Sequence, residues 1–350
     1  MKKLAVLLLV LLIFTACGSD TSSQFTAEKI VLNAGTNIEL QGMLTMPSGA
    51  KGKVPAVVLV HGSGGHDMDE TAYAYKPFKD IAEYLSANGI AVLRYDKRTF
   101  IHGTKMAENI AELTIMDETI DDAIEAATLL CADDRIDSDR IYLLGHSLGG
   151  MVAPRIDAEF TALTESEAWI CGMDETPGGK FGGNFAGIII WAGSPRTFGE
   201  ILLDQLENEL LMLPEDQHEL GRQQIDSIKD LFAGVKDLSD AEAKEMFVLG
   251  ATMYYYKDLD SHPAIDYLRD MTKPVLIMQG GKDFQVFADK DFAEYQRLLD
   301  GKDNVTFKLY PELNHFFITS TTGTGAEYMT RDNVNEEVLR DITDWIKANF

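Results

Sequence analysis

The stretch that decides the fold reads Ile141-Tyr142-Leu143-Leu144-Gly145-His146-Ser147-Leu148-Gly149. Its first four residues are a continuous apolar run, which is typical of a strand buried on both faces of a sheet. The residues after Gly149 favour a helix. A serine between such a strand and helix lies on a turn so tight that only small residues fit beside it, and this turn lifts the hydroxyl above the sheet edge. The pattern predicts a nucleophilic Ser147.

Short apolar runs of the same kind recur along the chain, and amphipathic helical periods separate them. The other runs begin at Val54, Ile90, Ile188 and Val275, and a last strand is predicted from Val305 to Tyr310. Alternating strands and helices predict an α/β fold, with a mainly parallel sheet covered by helices on both faces. Ahead of the run that begins at Val54, residues 28–32 and 38–46 alternate polar and apolar side chains, as in an antiparallel hairpin.

Two stretches interrupt this alternation. Residues 196–271 contain helical patterns only, which predicts a helical cap inserted between two strands of a core formed by residues 28–195 and 272–350. Residues 157–184 contain two glycine pairs, which predict a mobile loop.

The G-x-S-x-G motif, placed after a strand, resembles that of the α/β-hydrolase superfamily. The resemblance implies a catalytic triad in the chain order serine, acid, histidine. A serine is inert at its free pKa, so a base must reach it and a carboxylate must orient that base. Asp283 and His315 follow the strands that begin at Val275 and Val305. The predicted triad is therefore Ser147, Asp283 and His315.

Other candidates near these positions are assigned structural roles. Asp289 and Asp291 fall in the helix after Asp283 and are predicted to be solvated surface charges. His146 is predicted to pack beneath the serine, because His315 already supplies a better-placed base.

A glycine-rich segment, His61-Gly62-Ser63-Gly64-Gly65, follows the strand that ends at Val60. Backbone N–H groups in such a turn can stabilise the negative charge that acyl transfer places on a carbonyl oxygen. By the resemblance, the oxyanion hole is formed by the N–H groups of Ser63, or alternatively Gly64, and of Leu148. His61 is expected to brace the loop.

The resemblance extends from about residue 28 to the C-terminus and is weakest in the cap and the glycine-rich insertion. Residues 94–99, Arg-Tyr-Asp-Lys-Arg-Thr, are similar to the corresponding segment of bacterial serine carboxylesterases in the serine-aminopeptidase and dienelactone-hydrolase branch. Asp96 is expected to organise this segment through an ion pair.

Aromatic residues in the cap bear on the substrate. Met253, Tyr254 and Tyr255 are candidate lining residues of an apolar acyl pocket, although they could equally pack the cap onto the core. Short acyl esters, aryl-acid esters, acetylated sugars and small lipid esters all suit such a pocket.

The N-terminus predicts export. Two lysines precede an apolar run from Leu4 to Phe14, which is 11 residues and too short for a bilayer that needs roughly 20. The sequence through Cys17 resembles a bacterial lipobox, with Phe14 where an aliphatic residue is usual. The resemblance implies lipidation of Cys17, a tether over residues 18–27, and an enzyme anchored on the outer face of the cell membrane. An ordinary signal peptide or an uncleaved anchor is the alternative.

Composition excludes several classes of function. The chain has 350 residues and a formal charge of -25, from 31 Lys plus Arg against 56 Asp plus Glu, which disfavours nucleic acid as a partner. No paired His or Cys spacing suggests a metal, and no cofactor is predicted. Cys131 and Cys171 could form a disulfide or remain two buried thiols.

These features together predict a serine carboxylesterase acting on small-molecule esters. A serine peptidase with the same triad is the first alternative, and a non-catalytic binding lipoprotein is the second. A haloalkane dehalogenase is disfavoured, because it needs a carboxylate nucleophile where Ser147 stands.

Overall fold

The computed structural model describes residues 24–166 and 184–349. The predictions for Cys17, the signal peptide, most of the tether, Cys171 and the two glycine pairs lie outside these residues.

The strands of the described residues are β1 (Phe25–Leu32), β2 (Leu40–Pro47), β3 (Val54–Val60), β4 (Ala91–Tyr95), β5 (Ile136–His146), β6 (Gly187–Trp191), β7 (Phe247–Val248), β8 (Ala251–Thr252), β9 (Val275–Gly280) and β10 (Val305–Tyr310). The α-helices are α1 (Pro77–Ala87), α2 (Arg98–Ala107), α3 (Asp121–Cys131), α4 (Leu148–Ser166), α5 (Phe198–Leu211), α6 (Glu215–Ala233), α7 (Asp240–Glu245), α8 (Met253–Asp260), α9 (Ala264–Asp270), α10 (Ala293–Leu298) and α11 (Glu336–Ala348).

Eight of these strands form one sheet in the order β1-β2-β4-β3-β5-β6-β9-β10. The hairpin β1–β2 is antiparallel and also pairs antiparallel with β4, whereas the pairs from β4 to β10 are all parallel. The predicted α/β fold with a mainly parallel sheet is confirmed.

Two apolar layers enclose the sheet. Alternate residues of β3 face opposite sides, so Val58 packs with α3 and α4 while Val57 packs with α1 and α11. This two-sided burial explains why the parallel strands read as unbroken apolar runs. The edge strands β1 and β10 are partly exposed along their length. The loops after β3, β5, β9 and β10 all lie at the end of the sheet where these four parallel strands finish.

The segment between β6 and β9 contains helices α5 to α9 and the short hairpin β7–β8. It is held to the core by charged contacts. Arg155 of α4 donates to the carboxylate of Asp258 in α8 at 3.0 Å. At the start of the segment, Ser194 and Arg196 donate to Asp291 at 2.5 and 2.7 Å.

Asp291 corrects one prediction from the sequence. It is fully buried instead of solvated, because its carboxylate accepts from Ser194, from Arg196 and from the backbone N–H of Phe287. A buried carboxylate paired in this way anchors the first residues of the cap. Asp289, two residues earlier, is exposed as predicted.

The predicted mobile loop over residues 157–184 is also partly wrong. Helix α4 continues to Ser166, so the first ten residues of that stretch are helical. Ile156 and Phe160 bury apolar side chains at helical spacing, and Thr164 donates to the carbonyl of Phe160. The loop signal came from glycines at positions 178–183, which lie beyond the end of this helix.

Among the described residues, no helix is both long enough and apolar enough to span a bilayer.

Candidate active site

Ser147 lies on a strained turn at the end of β5. Its backbone is left-handed, with φ of 53°, a conformation that residues other than glycine rarely adopt. Its N–H donates to the carbonyl of Trp191 at 2.9 Å, which ties the turn to the neighbouring strand β6. The side chain is half-buried at the edge of the sheet.

Two glycines make this turn possible. A Cβ atom at Gly145 would lie 2.1 Å from the carbonyl oxygen of Gly149, and a Cβ at Gly149 would lie 2.4 Å from the carbonyl oxygen of Val60. Both obstacles are backbone atoms, which cannot move aside. The G-x-S-x-G spacing is therefore a steric requirement of this strand, turn and helix.

Asp283 and His315 meet at the same edge. Nδ1 of His315 lies 2.7 Å from Oδ2 of Asp283, and both side chains are buried. The carboxylate also accepts from the side chain of Gln279 at 2.9 Å and from the backbone N–H groups of Gln285 and Val286 at 2.8 and 2.9 Å. These contacts fix the carboxylate, so Nδ1 carries the imidazole proton and Nε2 is left as the basic nitrogen.

The glycine-rich loop after β3 approaches the serine closely. A Cβ atom at Gly62 would lie 3.2 Å from Cβ of Ser147. Ser63 follows at the exposed tip of the loop, and Leu148 is the buried first residue of α4. Ser63 and Leu148, the two predicted oxyanion-hole residues, therefore each directly follow one of the two residues that form this contact.

The loop is held by polar side chains that sequence reasoning missed. The N–H of Gly62 donates to Oε1 of Glu70 at 2.8 Å, and its carbonyl accepts from Nζ of Lys97 at 2.7 Å. Lys97 in turn donates to Oε1 of Glu118 at 2.5 Å. Thr99 donates to the carbonyl of Gly64 at 3.0 Å.

His146 contacts both Glu70, which holds the loop, and His315. Its Nε2 lies 3.1 Å from the carbonyl oxygen of His315. Its Nδ1 lies 2.9 Å from Oε2 of Glu70, although out of line for a hydrogen bond. Burial acts to raise the pKa of Glu70, but the imidazoles of His146, His66 and His61 together outweigh it and lower that pKa to about 2. His146 therefore does more than fill space beneath the serine.

The 94–99 segment is held in place differently from the prediction. Asp96 accepts a hydrogen bond from the backbone N–H of Met68 at 2.8 Å, and it forms no ion pair with any residue that the structure describes. The ion pairs come from the next two residues. Lys97 pairs with Glu118, and Arg98 pairs with the buried Asp122 at 2.6 Å.

The three predicted pocket residues of the cap have different surroundings. Met253 is fully buried in the hydrophobic core, which corrects its assignment to an open pocket. Tyr254 is half-buried, and Nζ of Lys244 lies 4.6 Å from its ring centre. Tyr255 lines a cavity of about 160 Å³ between α2 and the β7–β8 hairpin, together with Thr99, Gly103, Met106, Ile110 and Glu118.

His61 braces the loop through Nε2, which lies 3.0 Å from the carbonyl oxygen of Asp67. Burial lowers its pKa from 6.5 to about 3. When the pH falls below 6.5, the unfolded chain binds a proton at His61 but the folded protein does not. The free energy of unfolding should therefore decrease between pH 6.5 and 3, by at most about 1.4 kcal/mol per pH unit from this residue.

Urea unfolding of the wild type and of His61→Gln from pH 7 to pH 4 measures this effect. The glutamine keeps a donor near Asp67 but does not titrate. We expect the wild-type stability to fall more steeply with decreasing pH than that of the variant. Parallel pH dependences in the two proteins would rule out His61 as a source of acid sensitivity.

Within residues 24–166 and 184–349, no cluster of three or more His, Cys, Asp or Glu side chains could hold a metal ion.

A mainly parallel sheet, a serine on a left-handed turn, and a histidine paired with an aspartate after successive strands are the arrangement that serine hydrolases of the α/β type use. The chain belongs to the α/β hydrolase family, whose model matches residues 57–322. It is similar to Esterase EstD of Thermotoga maritima, with 34% identity over 312 residues. That match covers 88% of this chain and 65% of the relative, so the chain spans slightly less than two thirds of that protein's length.

Solved structures share the fold at low sequence identity. The complex of ferulic acid with Est1E from Butyrivibrio proteoclasticus matches with a TM-score of 0.54 and 16% identity, over 91% of this chain and 98% of that one. An esterase of Pyrococcus furiosus matches with a TM-score of 0.51 and 16% identity, over 93% of each chain. These likenesses concern the fold.

Proposed function

We propose that the protein hydrolyses carboxylic esters of small molecules through an acyl-enzyme on Ser147. The observation that carries this proposal is the 2.7 Å contact between His315 and Asp283, at the same sheet edge as the left-handed Ser147. The similarity to a relative named as an esterase supports the choice of ester over other acyl substrates.

In the first half of the reaction, Nε2 of His315 accepts the proton of Ser147 as its oxygen attacks the ester carbonyl. Asp283 accepts a hydrogen bond from Nδ1 and stabilises the imidazolium that forms. The tetrahedral intermediate collapses, and His315 returns the proton to the leaving alcohol. Water then attacks the acyl-enzyme with the same base, which releases the acid and restores the serine.

The negative charge of the intermediate falls on the former carbonyl oxygen. We assign its stabilisation to the backbone N–H groups of Ser63 and Leu148, because the loop at Gly62 contacts the serine and Leu148 begins the helix after it. Donors that are already oriented stabilise this charge without reorganising, and each contributes about 10²- to 10³-fold in kcat.

Turnover of p-nitrophenyl esters from acetate to palmitate tests the proposal, with p-nitroanilides of single amino acids as the comparison. The protein without residues 1–17 should hydrolyse the esters and not the anilides. Anilide turnover above ester turnover would favour a peptidase. Absence of both activities in a folded sample, with no labelling by a fluorophosphonate, would favour a binding role.

The cavity that Tyr255 lines predicts how acyl length is selected. It holds only about 160 Å³, and it borders the loop through Thr99, so we expect the fastest turnover with short acyl chains. A Cβ atom at Gly103 would meet open space, so Gly103→Leu should fill this cavity without a backbone clash. That variant should shift the preferred chain to a shorter one, and Met106→Ala should shift it to a longer one.

The ratio of kcat/KM for butyrate and acetate esters measures this shift, since one methylene in an apolar pocket changes discrimination by about 1–3 kcal/mol. Identical ratios in both variants and the wild type would show that the acyl chain binds elsewhere.

We also propose that the protein is exported and tethered to the outer face of a bacterial membrane by lipid on Cys17. The support is the sequence pattern of residues 1–17. Detergent phase partitioning of the full chain and of Cys17→Ala tests it. The wild type should enter the detergent phase and the variant should not. Equal partitioning would favour an ordinary signal peptide or an uncleaved anchor.

A further inference from the structure

Lys97 is a charged residue buried directly beneath the glycine-rich loop. Only 2% of it is exposed, and its ammonium contacts two acceptors, the carbonyl of Gly62 at 2.7 Å and Oε1 of Glu118 at 2.5 Å. Burying an ammonium costs several kcal/mol unless its partners are well placed. The triad does not need a cation at this position, so the ester chemistry leaves Lys97 without an assigned role.

The carbonyl that Lys97 binds belongs to the peptide that links Gly62 and Ser63. In a trans peptide the C=O and the N–H lie in one plane and point in opposite directions, and the described residues contain no cis peptide. A hydrogen bond that fixes the carbonyl of Gly62 therefore fixes the N–H of Ser63 as well. Because Lys97 lies on the buried side, that N–H points toward the open side of the loop, where a substrate carbonyl would arrive.

The neighbouring groups leave this peptide little freedom to rotate. Glu70 accepts from the N–H of Gly62 at 2.8 Å, on the preceding peptide. His66 lies 2.8 Å from the carbonyl oxygen of Ser63 through Nε2, on the following peptide. The loop thus has a polar partner on each of three successive peptides, and Lys97 holds the middle one.

The hydrogen bonds that hold the glycine-rich loop continue from Lys97 into the cap. The second oxygen of Glu118 accepts from the hydroxyl of Tyr255 at 2.6 Å. Tyr255 belongs to α8 and is buried, and burial raises the pKa of its hydroxyl well above the usual value, so it donates as a neutral phenol. A continuous chain of hydrogen bonds therefore runs from Tyr255 through Glu118 and Lys97 to Gly62.

We propose that Lys97 is a positioning residue that orients the Ser63 N–H in the oxyanion hole. Through their hydrogen bonds, Glu118 and Tyr255 make the position of Lys97 depend on how the cap is docked on the core. This inference rests on the ester hydrolysis proposed above. Its consequence is that the oxyanion hole is fully formed only while α8 of the cap stays docked with Tyr255 against Glu118.

Lys97→Met tests the first part. Misdirecting one oxyanion-hole donor should lower kcat by about 10²-fold, since removing such a donor costs about 10²- to 10³-fold. KM should change by no more than about threefold, because the donor acts mainly in the transition state. A trifluoromethyl ketone, which forms an oxyanion on Ser147, should lose affinity in proportion to kcat/KM.

Arg98→Met is the matched control. It removes the neighbouring buried ion pair, with Asp122, but Arg98 makes no hydrogen bond to the loop. We expect it to lower the melting temperature with kcat within about threefold of the wild type. If both variants lose stability and only Lys97→Met loses kcat and ketone affinity, the effect is one of positioning.

Tyr255→Phe and Glu118→Gln test the relay and replace Lys97→Met if that variant does not fold. Each should lower kcat by about 3- to 10-fold. Tyr255→Phe should add nothing in the Lys97→Met background, since residues of one network are not additive. Additive losses would overturn the relay.

The failure of this inference is distinguishable from the failure of the proposed function. A wild type that neither hydrolyses esters nor is labelled at Ser147 contradicts the function. An active wild type whose folded Lys97→Met or Glu118→Gln variant keeps its kcat and ketone affinity contradicts the role of Lys97 alone.

Discussion

Replacing Ser147 by alanine is expected to lower kcat for p-nitrophenyl acetate by roughly 10⁴- to 10⁶-fold. In the proposed mechanism this hydroxyl forms the acyl-enzyme, and the left-handed turn presents it at the edge of the sheet. Alanine keeps Cβ, so the strained backbone and its packing against Gly62 are retained. The loss should therefore appear in kcat, with the melting temperature close to that of the wild type.

The matched control is Ser227→Ala, which removes an exposed hydroxyl on α6 that donates to the carbonyl of Gln223. It should leave kcat and KM unchanged. Ester turnover by Ser147→Ala within tenfold of the wild type would exclude Ser147 as the nucleophile.

The second large effect is expected for Asp283→Asn, with kcat lowered by about 10⁴-fold. Oδ1 must remain the acceptor for the backbone N–H groups of Gln285 and Val286. The new amide NH₂ then replaces Oδ2 and faces two donors, Gln279 and the Nδ1–H of His315. His315 can restore a hydrogen bond only by moving its proton to Nε2, and it then cannot accept the proton of Ser147.

Steady-state kinetics from pH 5 to pH 9 measure this loss, because the wrong tautomer persists wherever the imidazole is neutral. Asp289→Asn is the control, since it changes an exposed acid six residues away in the same segment. It should behave as the wild type. If Asp289→Asn loses activity and Asp283→Asn does not, the acid of the triad has been misassigned.

The sequence was most informative where one physical requirement dictates the residue. Burial on both faces makes the inner parallel strands continuous apolar runs, so β3 was predicted at both ends, and β6 and β9 at their first residues to within one residue. The edge strand β10 was also predicted at both ends, whereas β5 begins five residues before its predicted run. The need for Gly145 and Gly149 beside Ser147 was equally predictable, because a Cβ atom at either position would collide with the backbone.

Polar residues buried by tertiary structure were not predictable in this way. Asp291 reads as a helical surface acid, and its burial depends on Ser194 and Arg196, which lie about a hundred residues earlier in the chain. Glu70 follows a polar stretch with no periodicity. The Lys97-Arg98 pair was the one visible signal, as a lone basic cluster in an acidic chain.

The pocket residues in the cap show the same limit. Met253, Tyr254 and Tyr255 are adjacent in sequence, but helical geometry turns them in three directions. Met253 enters the core, the ring of Tyr254 lies under the ammonium of Lys244, and Tyr255 faces a cavity. Composition predicted an aromatic surface, but the packing of α8 determines which of these side chains lines the cavity.

The most direct test of the central claim is the site at which a fluorophosphonate modifies the folded protein, read by mass spectrometry of its peptides. The probe reacts with a serine that a neighbouring base has activated, and it mimics the tetrahedral intermediate. We predict a single modification on Ser147, absent from Ser147→Ala. Modification at another residue, or no modification of a folded and correctly assembled sample, would contradict the assignment of Ser147 as an activated nucleophile.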